Sequence, residues 1–420
     1  MENLRFFRSL TLSIILLSLW SSLLAEEKYS LENIIDLYKQ NNIALKINKM
    51  EIDNALSRKK IARAWENPFI RYTQEGINTG TQENPLKGRE LQLTLEQRIP
   101  LSGRKGLQSK RAEQDINIAS EGYQQIYWEG LCYIKALFYE IQSLTSTLDI
   151  LGKMRQKIEE LNTIIIENYK RGEVSGIDTA RIKMILKDLD LEKYNVETSL
   201  DFKKRELLTL LDLSNEPSQI DFVDPYYHYV IKEEKKDLKQ SLIENNPQIR
   251  ILVNSQKREE IQLSLEKRKN IPDLTATGGY KKEDFYDTYL FSFSLNIPIF
   301  NQRSGEIEVA KNNLRMNELQ QRLITKELLG AFEREHLNHL KSTELIQLFK
   351  AQYLDQADKL ENTTLAAYKG GEVNMLVLVD ALQSVLKTRI EFIDLILQNN
   401  VAIFNIEKMI SREIDLEKIQ

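Results

Sequence analysis

The sequence predicts a mostly α-helical fold with a small β part that meets a membrane, arranged as two similar halves. Three observations lead to this fold class. Proline is absent from Leu101 to Glu216 and from Ile299 to Gln420. Because proline breaks a helix interior at a cost of roughly 3 kcal/mol, both windows can be helical almost throughout. Short stretches between the remaining prolines alternate apolar and polar residues, as strands do. The order of these patterns recurs after about 200 residues, as in a duplicated domain.

The first 25 residues are expected to be removed from the mature chain. Arg5 and Arg8 precede an apolar run from Leu10 to Leu19, and small residues then lead to the polar Glu26. This pattern is typical of a secretory signal peptide, so 1–25 is predicted to direct export. No later stretch approaches the about 18 continuous apolar residues that a transmembrane helix needs. The mature chain therefore crosses a membrane as strands or not at all.

Strands are predicted near 68–76, 90–99, 273–280 and 289–298, with exposed polar loops at 77–89 and 281–288. In two of them the alternation is strict, which predicts one apolar and one polar face. The apolar positions that share a face, and that are expected to contact lipid, are Leu91, Leu93, Leu95, Phe291, Phe293 and Leu295.

Long helical hairpins are predicted at 103–212 and 301–410, where apolar residues recur at intervals of three and four. This spacing is typical of coiled-coil packing. A continuous helix over residues 104–169 would be roughly 100 Å long at 1.5 Å per residue. The seam of the first hairpin comprises Leu131, Ile134, Phe138, Ile141, Leu148, Leu151, Ile158, Leu161 and Ile165, with Ile182, Leu186, Leu189, Val196, Leu200 and Leu207 on the returning helix.

The chain repeats itself, since Tyr169-Lys-Arg-Gly-Glu-Val174 matches Tyr368-Lys-Gly-Gly-Glu-Val373 at an offset of 199. Each half then consists of a helix, two strands and a helical hairpin. The predicted segments are the first repeat at 26–212, a linker at 213–236, the second repeat at 237–411 and a C-terminal tail at 412–420.

Four amphipathic strands cannot seal themselves in lipid. A barrel needs about eight strands to close around a filled interior, and an open edge in hydrocarbon leaves backbone groups without partners. If the apolar faces contact lipid, several copies must therefore share one barrel, and three copies supply twelve strands.

The whole chain from 29 to 411 resembles the TolC-like outer membrane efflux factors. The resemblance rests on the order of elements, the duplicated halves and the Tyr-Lys-x-Gly-Glu-Val turn in both halves. In addition, Leu95-Glu-Gln-Arg-Ile-Pro-Leu-Ser-Gly-Arg-Lys105 resembles the strand-to-helix joint of the branch that serves heavy-metal RND pumps. The resemblance implies a homotrimer with a twelve-stranded β-barrel in outer membrane lipid and an α-helical barrel that extends into the periplasm.

The resemblance also implies partners and tip residues. The channel would dock to a periplasmic adaptor (membrane fusion) protein and to an inner-membrane RND or other transporter, with metals, drugs and polypeptides all open as cargo. Gly172 and Gly371 would lie at the periplasmic tip. Asp380, nine residues after Gly371, would form one acidic ring in the pore, and Asp178 and Arg181 would act as tethers.

No enzyme or nucleic-acid partner is predicted. The 58 basic and 62 acidic residues nearly balance, which gives no attraction to nucleic acid. No nucleophile, phosphate-loop or dinucleotide motif occurs, so no catalytic or cofactor-binding residue is expected. Cys132 is the single cysteine; it lies too far from the mature N-terminus for a lipid anchor, and a buried, inert thiol is expected.

Two alternatives stand beside these predictions. His336 and His339, one helical turn apart with Glu333 nearby, have a spacing that can hold a metal, but a second such motif is lacking. A solvated helix face is therefore predicted for them, and no metal site. The alternative to a channel is an exported periplasmic coiled-coil scaffold, which has no use for apolar strand faces turned outward.

Overall fold

The computed structural model describes residues 27–76, 89–222, 224–283 and 286–419. The predicted signal peptide and almost all of the 77–89 loop lie outside the described residues. The chain divides into two compact units. The first unit comprises Met1–Lys46, Ile126–Asn245 and Leu328–Gln420, and the second comprises Ile47–Gln125 and Asn246–Glu327.

The mostly α-helical fold is confirmed. A π-helical segment, Phe349–Tyr353, joins the seventh and eighth helices. Among the described helices, none combines the length and the apolar character that crossing a membrane would require. The helices are α1 (Leu31–Asn41), α2 (Ile43–Arg63), α3 (Arg104–Lys170), α4 (Gly176–Leu210), α5 (Lys235–Asn245), α6 (Pro247–Arg268), α7 (Ser304–Leu348), α8 (Leu354–Lys369) and α9 (Met375–Ile410).

Asparagine side chains divide the helix expected at the start of each half into two. Asn42 separates α1 from α2; its side-chain oxygen accepts from the backbone N–H of Leu45 at 3.1 Å, and its amide donates to the carbonyl of Leu210 at 2.9 Å. Asn246 separates α5 from α6 and accepts from the N–H groups of Gln248 and Ile249. Both are N-cap interactions, which satisfy backbone donors that a helix start leaves unpaired.

The strands of the second unit form one antiparallel sheet in the order β2-β3-β6-β7. These strands are β2 (Phe69–Glu75), β3 (Glu90–Ile99), β6 (Leu274–Lys282) and β7 (Asp287–Leu295). β7 ends at Leu295, three residues earlier than predicted. The alternation of apolar and polar residues continues to Ile297, but Pro298 has no N–H to donate to a neighbouring strand, so the hydrogen-bonded part of the strand ends before it.

Four short strands in the first unit were not predicted from the sequence. β1 (Glu27–Tyr29) pairs in parallel with β4 (Ile220–Phe222), and β5 (His228–Ile231) pairs antiparallel with β8 (Leu416–Ile419). The segments expected to be a linker and a tail therefore carry strands. Each strand has only three or four residues, which is too short for an alternation to stand out.

An apolar core in the first unit joins α3, α4, α8 and α9. It contains the distal part of the predicted seam, including Leu151, Ile158 and Ile165, each no more than 2 % exposed. The two hairpin helices of each half thus bury their stripes against one another, as coiled coils do. The remaining buried members are Met154, Leu161, Ile182, Leu189, Val196, Ala357, Met375, Leu378, Val379, Leu382 and Val385.

The same unit buries an ion pair between Lys135 on α3 and Glu407 on α9. Lys135 Nζ lies 2.8 Å from Glu407 Oε2, and the two side chains are 9 % and 1 % exposed. Glu407 Oε1 also accepts the N–H of Ile414 at 3.1 Å. Nearby Cys132 is buried, as expected, and this burial raises the pKa of its thiol to about 12. A raised pKa disfavours the reactive thiolate, and inertness stays a prediction.

Candidate functional site

The first glycine turn ends α3 at Gly172, whose φ of +79° is unfavourable for residues with a Cβ. The Gly172 N–H donates to the carbonyl of Tyr169 at 3.0 Å, and the Glu173 N–H donates to that of Asn168 at 2.9 Å. These two bonds define a Schellman motif. The next helix begins immediately, because the Ser175 side chain caps α4 by accepting from the N–H of Asp178.

The second glycine turn has the same construction. Gly371, at φ +76°, donates to the carbonyl of Tyr368 at 3.1 Å, and the Glu372 N–H donates to that of Ala367 at 2.8 Å. Asn374 then caps α9 by accepting from two backbone N–H groups. The shared Tyr-Lys-x-Gly-Glu-Val sequence therefore specifies the same backbone geometry twice, in which one glycine reverses the chain within about five residues.

The two turns lie side by side in the first unit. Residues from both line one open groove of about 700 Å³, among them Asn168, Asp178, Tyr368 and Asn374. Burial, and then the charge of the nearby Asp178, raises the pKa of the Tyr368 hydroxyl. This end of the helical bundle is thus formed jointly by the two loops that the sequence pairs.

The predicted tip residues differ in their surroundings. Asp380 is exposed on α9 between the buried Val379 and Ala381, and its carboxylate makes no ion pair with the described residues. Asp178 is half-buried and accepts from the Ser175 hydroxyl at 2.8 Å, so it supports the cap of α4. Arg181 is half-buried and also makes no ion pair among the described residues. The tether role expected of Asp178 and Arg181 stays a prediction.

A buried carboxylate that the sequence reasoning missed lies in the seam of the same bundle. Glu361, 2 % exposed, accepts from Lys157 Nζ at 2.6 Å and from Arg389 Nη2 at 2.7 Å. Burial works against its charge, but these two cations hold the pKa of Glu361 below its usual value. Glu361 links α3, α8 and α9. The sequence carries one signal of this burial: Glu361 lies four residues from both Ala357 and Leu365, within the apolar stripe of its helix.

The register of the four-stranded sheet places the predicted apolar residues on one face. Directly paired residues share a face, and one such row runs Ile70, Leu95, Gly278 and Phe291, while the next runs Tyr72, Leu93, Tyr280 and Tyr289. The side chains on this face are largely exposed, with Phe291 at 81 % and Phe293 at 74 %, and Leu93, Leu95 and Leu295 near half; Leu91 is half-buried.

The opposite face of the sheet is polar, with rows such as Thr277 paired to Ser292 and Thr275 paired to Ser294. Within the described chain, β2 and β7 each pair on one side only. The sheet therefore has one apolar face, one polar face and two open edges, which a single chain leaves uncovered.

The histidine prediction was wrong. His336 and His339 are 9 % and 2 % exposed rather than solvated, because this part of α7 packs against β5 and α9. His339 Nδ1 lies 2.8 Å from Asn399 Oδ1, and the Ile231 N–H donates to its Nε2 at 3.4 Å. His228 on β5 is also buried, and neither of its ring nitrogens has a hydrogen-bond partner among the residues that the structure describes. In the described residues, no group of three or more potential ligands could hold a metal ion.

Comparison with known proteins gives the class to which this fold belongs. No profile of a known protein family matches the chain. The solved structure of the outer membrane protein VceC from Vibrio cholerae aligns with a TM-score of 0.77 at 14 % identity, covering 92 % of this chain and 97 % of that one. The Campylobacter jejuni CmeC outer membrane channel aligns with a TM-score of 0.75 at 13 % identity, covering 91 % and 85 %. The chain thus has the fold of outer membrane channels.

One curated protein is similar in sequence to this chain over almost its whole length. The cobalt-zinc-cadmium resistance protein CzcC of Cupriavidus metallidurans is 20 % identical over 401 residues, which cover 91 % of this chain and 90 % of the relative. The resemblance to TolC-like channels that the sequence indicated is therefore confirmed.

Proposed function

We propose that this chain is the outer membrane channel of a tripartite efflux system, a passive trimeric exit duct. The observation that carries the proposal is the sheet with one apolar face and two unpaired edges. In lipid, every backbone polar group needs a protein partner, so such a sheet must close with copies of itself. Three copies give a twelve-stranded barrel, with the apolar faces toward outer membrane lipid and the polar faces toward the lumen.

The helices continue the duct into the periplasm, as a tube formed from two repeated halves per chain. The matching construction of the turns at Gly172 and Gly371 supports this two-fold repeat. These turns form the tip, which docks to a periplasmic adaptor protein and through it to an inner-membrane RND or other transporter. The duct makes and breaks no covalent bond, so an enzymatic role is not proposed.

Heavy-metal cations are the proposed cargo. The relative named for cobalt, zinc and cadmium resistance supports this choice, and so does the unpaired, exposed Asp380 near the tip. Three such carboxylates around a narrow passage would favour cations over anions.

Membrane fractionation separates the proposed channel from a periplasmic scaffold. The channel should remain in envelopes after carbonate extraction, migrate as a heat-modifiable trimer and conduct ions in planar bilayers. A scaffold would be released by carbonate and would produce no ionic current across the bilayer. For the cargo, deletion of the gene should raise sensitivity to cobalt, zinc and cadmium, and re-expression should reverse the effect; unchanged sensitivity would contradict metal cargo while leaving the channel intact.

A further inference from the structure

The second unit concentrates eight cations where α2 ends and α3 begins. The last ten residues of α2 (54–63) and the first nine of α3 (104–112) contain no acid. The chain as a whole is nearly balanced, with 58 basic and 62 acidic residues, so the excess is local. The eight cations are Arg58, Lys59, Lys60, Arg63, Arg104, Lys105, Lys110 and Arg111.

The second half of the chain builds the corresponding helix ends without this excess. The last ten residues of α6 (259–268) and the first nine of α7 (304–312) contain five acids and three cations. These helices lead into β6 and out of β7, as α2 and α3 lead into β2 and out of β3. A join between helix and strand therefore does not require a basic surface, and the eight cations need another explanation.

Helix stability accounts for only part of the cluster. Lys60 and Arg63 lie in the last turn of α2, where the helix dipole favours positive charge. Arg104 and Lys105 lie in the first turn of α3, where the dipole makes positive charge unfavourable. Proteins break such local rules mostly at functional sites, so the cations of α3 indicate a binding surface.

Most of the cluster has no acid partner within the described chain. Arg58 Nη1 lies 2.8 Å from Glu51 Oε1, and Lys59 Nζ lies 3.5 Å from Glu113 Oε1. Arg104 also has an acid partner. The cations that make no ion pair with any described residue are Lys60, Arg63, Lys105, Lys110 and Arg111.

Three of the cations line a groove of about 390 Å³ between α2 and α3. Arg58 belongs to α2, and Lys105 and Arg111 belong to α3. Among the described lining residues only Asp115 is acidic, and its carboxylate already lies 3.6 Å from Arg258 on α6. The groove therefore keeps an excess of positive charge.

Apolar side chains line the groove between the cations. They are Ile61, Ala62 and Ala112, and Ile61 is 71 % exposed. The groove lies close to the sheet, because Lys105 Nζ donates to the carbonyl of Ala64 at 2.7 Å where α2 leads to β2 and β3 leads to α3. With the apolar face of the sheet in hydrocarbon, the groove lies at the level of lipid headgroups.

Cations beside apolar side chains match an amphiphile that carries an anionic phosphate. Guanidinium groups can bind phosphate through two parallel hydrogen bonds, and basic pockets between helices bind anionic lipid headgroups. A free phosphate ion would leave Ile61 in water, whereas an acyl chain would cover it. A second copy would cover the groove less well, since copies can pair only at β2 and β7, whereas Lys105 and Arg111 follow the central strand β3.

We propose that the groove between α2 and α3 binds one anionic phospholipid, with its phosphate among Arg58, Lys105 and Arg111 and an acyl chain along Ile61. Phosphatidylcholine has the same phosphate but also carries a choline cation, which the groove repels. This inference rests on the proposed membrane function and adds to it a lipid partner of defined charge.

Native mass spectrometry of the mature, full-length protein in detergent tests the site by counting bound lipids. The protein is titrated with dioleoyl phosphatidylglycerol or with dioleoyl phosphatidylcholine. We expect one phosphatidylglycerol per chain, bound about tenfold or more tightly than phosphatidylcholine, because each cation near an anionic headgroup contributes about fivefold. The groove variant combines Arg58→Gln with Arg111→Gln, two exposed positions, and its preference for phosphatidylglycerol should fall to about twofold or less.

A matched variant and a competitor complete the design. Lys187→Gln combined with Lys387→Gln removes the same charge from positions in the first unit that are 84 % and 76 % exposed, and it should keep the full preference. Inorganic phosphate at a large excess should not displace the lipid, because it cannot cover Ile61.

The outcomes separate this site from the channel. Loss of the preference in the groove variant alone supports the site. Equal binding of the two lipids, or a preference that the groove variant retains, would overturn the site and leave the channel standing, because the particle mass reports the assembly independently. Displacement by inorganic phosphate would overturn the lipid in favour of a free anion, and dissociation of the groove variant alone into single chains would overturn it in favour of a second copy. A wild-type particle of one chain, soluble without detergent, would instead contradict the channel.

Discussion

Breaking the buried pair between Lys135 and Glu407 should destabilise the first unit far more than breaking any surface pair. Glu407→Leu leaves the Lys135 ammonium 9 % exposed, with Glu413 as its remaining acid at 3.7 Å. Glu413 is 72 % exposed, so solvent screens most of its attraction. Removing one partner of a buried pair costs about 3 to 5 kcal/mol, and we expect about 4 kcal/mol here.

Replacing the other partner of the pair should lower the stability less. Lys135→Met leaves the Glu407 carboxylate buried, but burial raises the pKa of Glu407, so the group can take up a proton and become neutral. The double variant, Lys135→Met with Glu407→Leu, removes both charges and leaves the Ile414 N–H without its acceptor. Glu407→Leu alone loses the same acceptor, at a cost of about 1 to 3 kcal/mol in both variants. Only the single variant also leaves the Lys135 charge buried without its partner, so the double variant should be more stable than Glu407→Leu alone.

Thermal unfolding of the four proteins in detergent, followed by intrinsic fluorescence, provides the double-mutant cycle. The Lys387 to Glu391 pair, 3.7 Å apart with 76 % and 52 % exposure, is the control, and its single variants should change stability by less than about 0.5 kcal/mol. If the double variant lost as much stability as the sum of the two single variants, the electrostatic argument for the buried pair would be refuted.

Three further predictions follow from single residues. Gly371→Ala should destabilise the second glycine turn by about 1 to 2 kcal/mol, because φ is +76° there and the backbone is strained with any Cβ, although no atom obstructs it. Gly370→Ala is the control and should be nearly neutral, because the backbone at Gly370 is ordinary helix. Equal melting temperatures of the two variants would contradict this argument. Burial and the nearby charges of Lys350 and His339 lower the pKa of His228 to about 4. As the pH falls, the unfolded chain therefore binds a proton at His228 before the folded chain does, and the free energy of unfolding should fall by about 2 to 3 kcal/mol between pH 6.5 and 4. His228→Phe should reduce the dependence of the melting temperature on pH in this range, and an unchanged dependence would contradict the role of His228. Asp380→Asn should reduce the cation preference of single channels, and unchanged ion selectivity would remove Asp380 from the pore.

The features that the sequence predicted correctly are those with a long period or a strong local signal. The strict alternation around Leu93 and Phe293 placed two strands, and the register then confirmed that their apolar residues share one face. The seam around Ile158 was recognisable because it extends over many turns. The glycine turns were visible because the geometry at Gly172 and Gly371 demands a residue without a Cβ.

The features that the sequence reasoning missed depend on tertiary contacts. His336 and His339 stand among charged residues, so the local pattern indicated solvent, and only the packing of α7 against β5 and α9 explains their burial. Glu361 is buried because cations from two other helices reach it. The pairing of β5 with β8 joins segments almost 190 residues apart, and no local alternation predicts such a contact.

The number of chains in the detergent-released particle tests the central claim most directly. Native mass spectrometry measures this number without assuming a shape. Because one chain contributes four strands with two open edges, we expect a particle of three times the mature chain mass, stable until the detergent shell is stripped by activation. A particle of one chain, soluble and folded without detergent, would contradict the shared barrel on which the account depends.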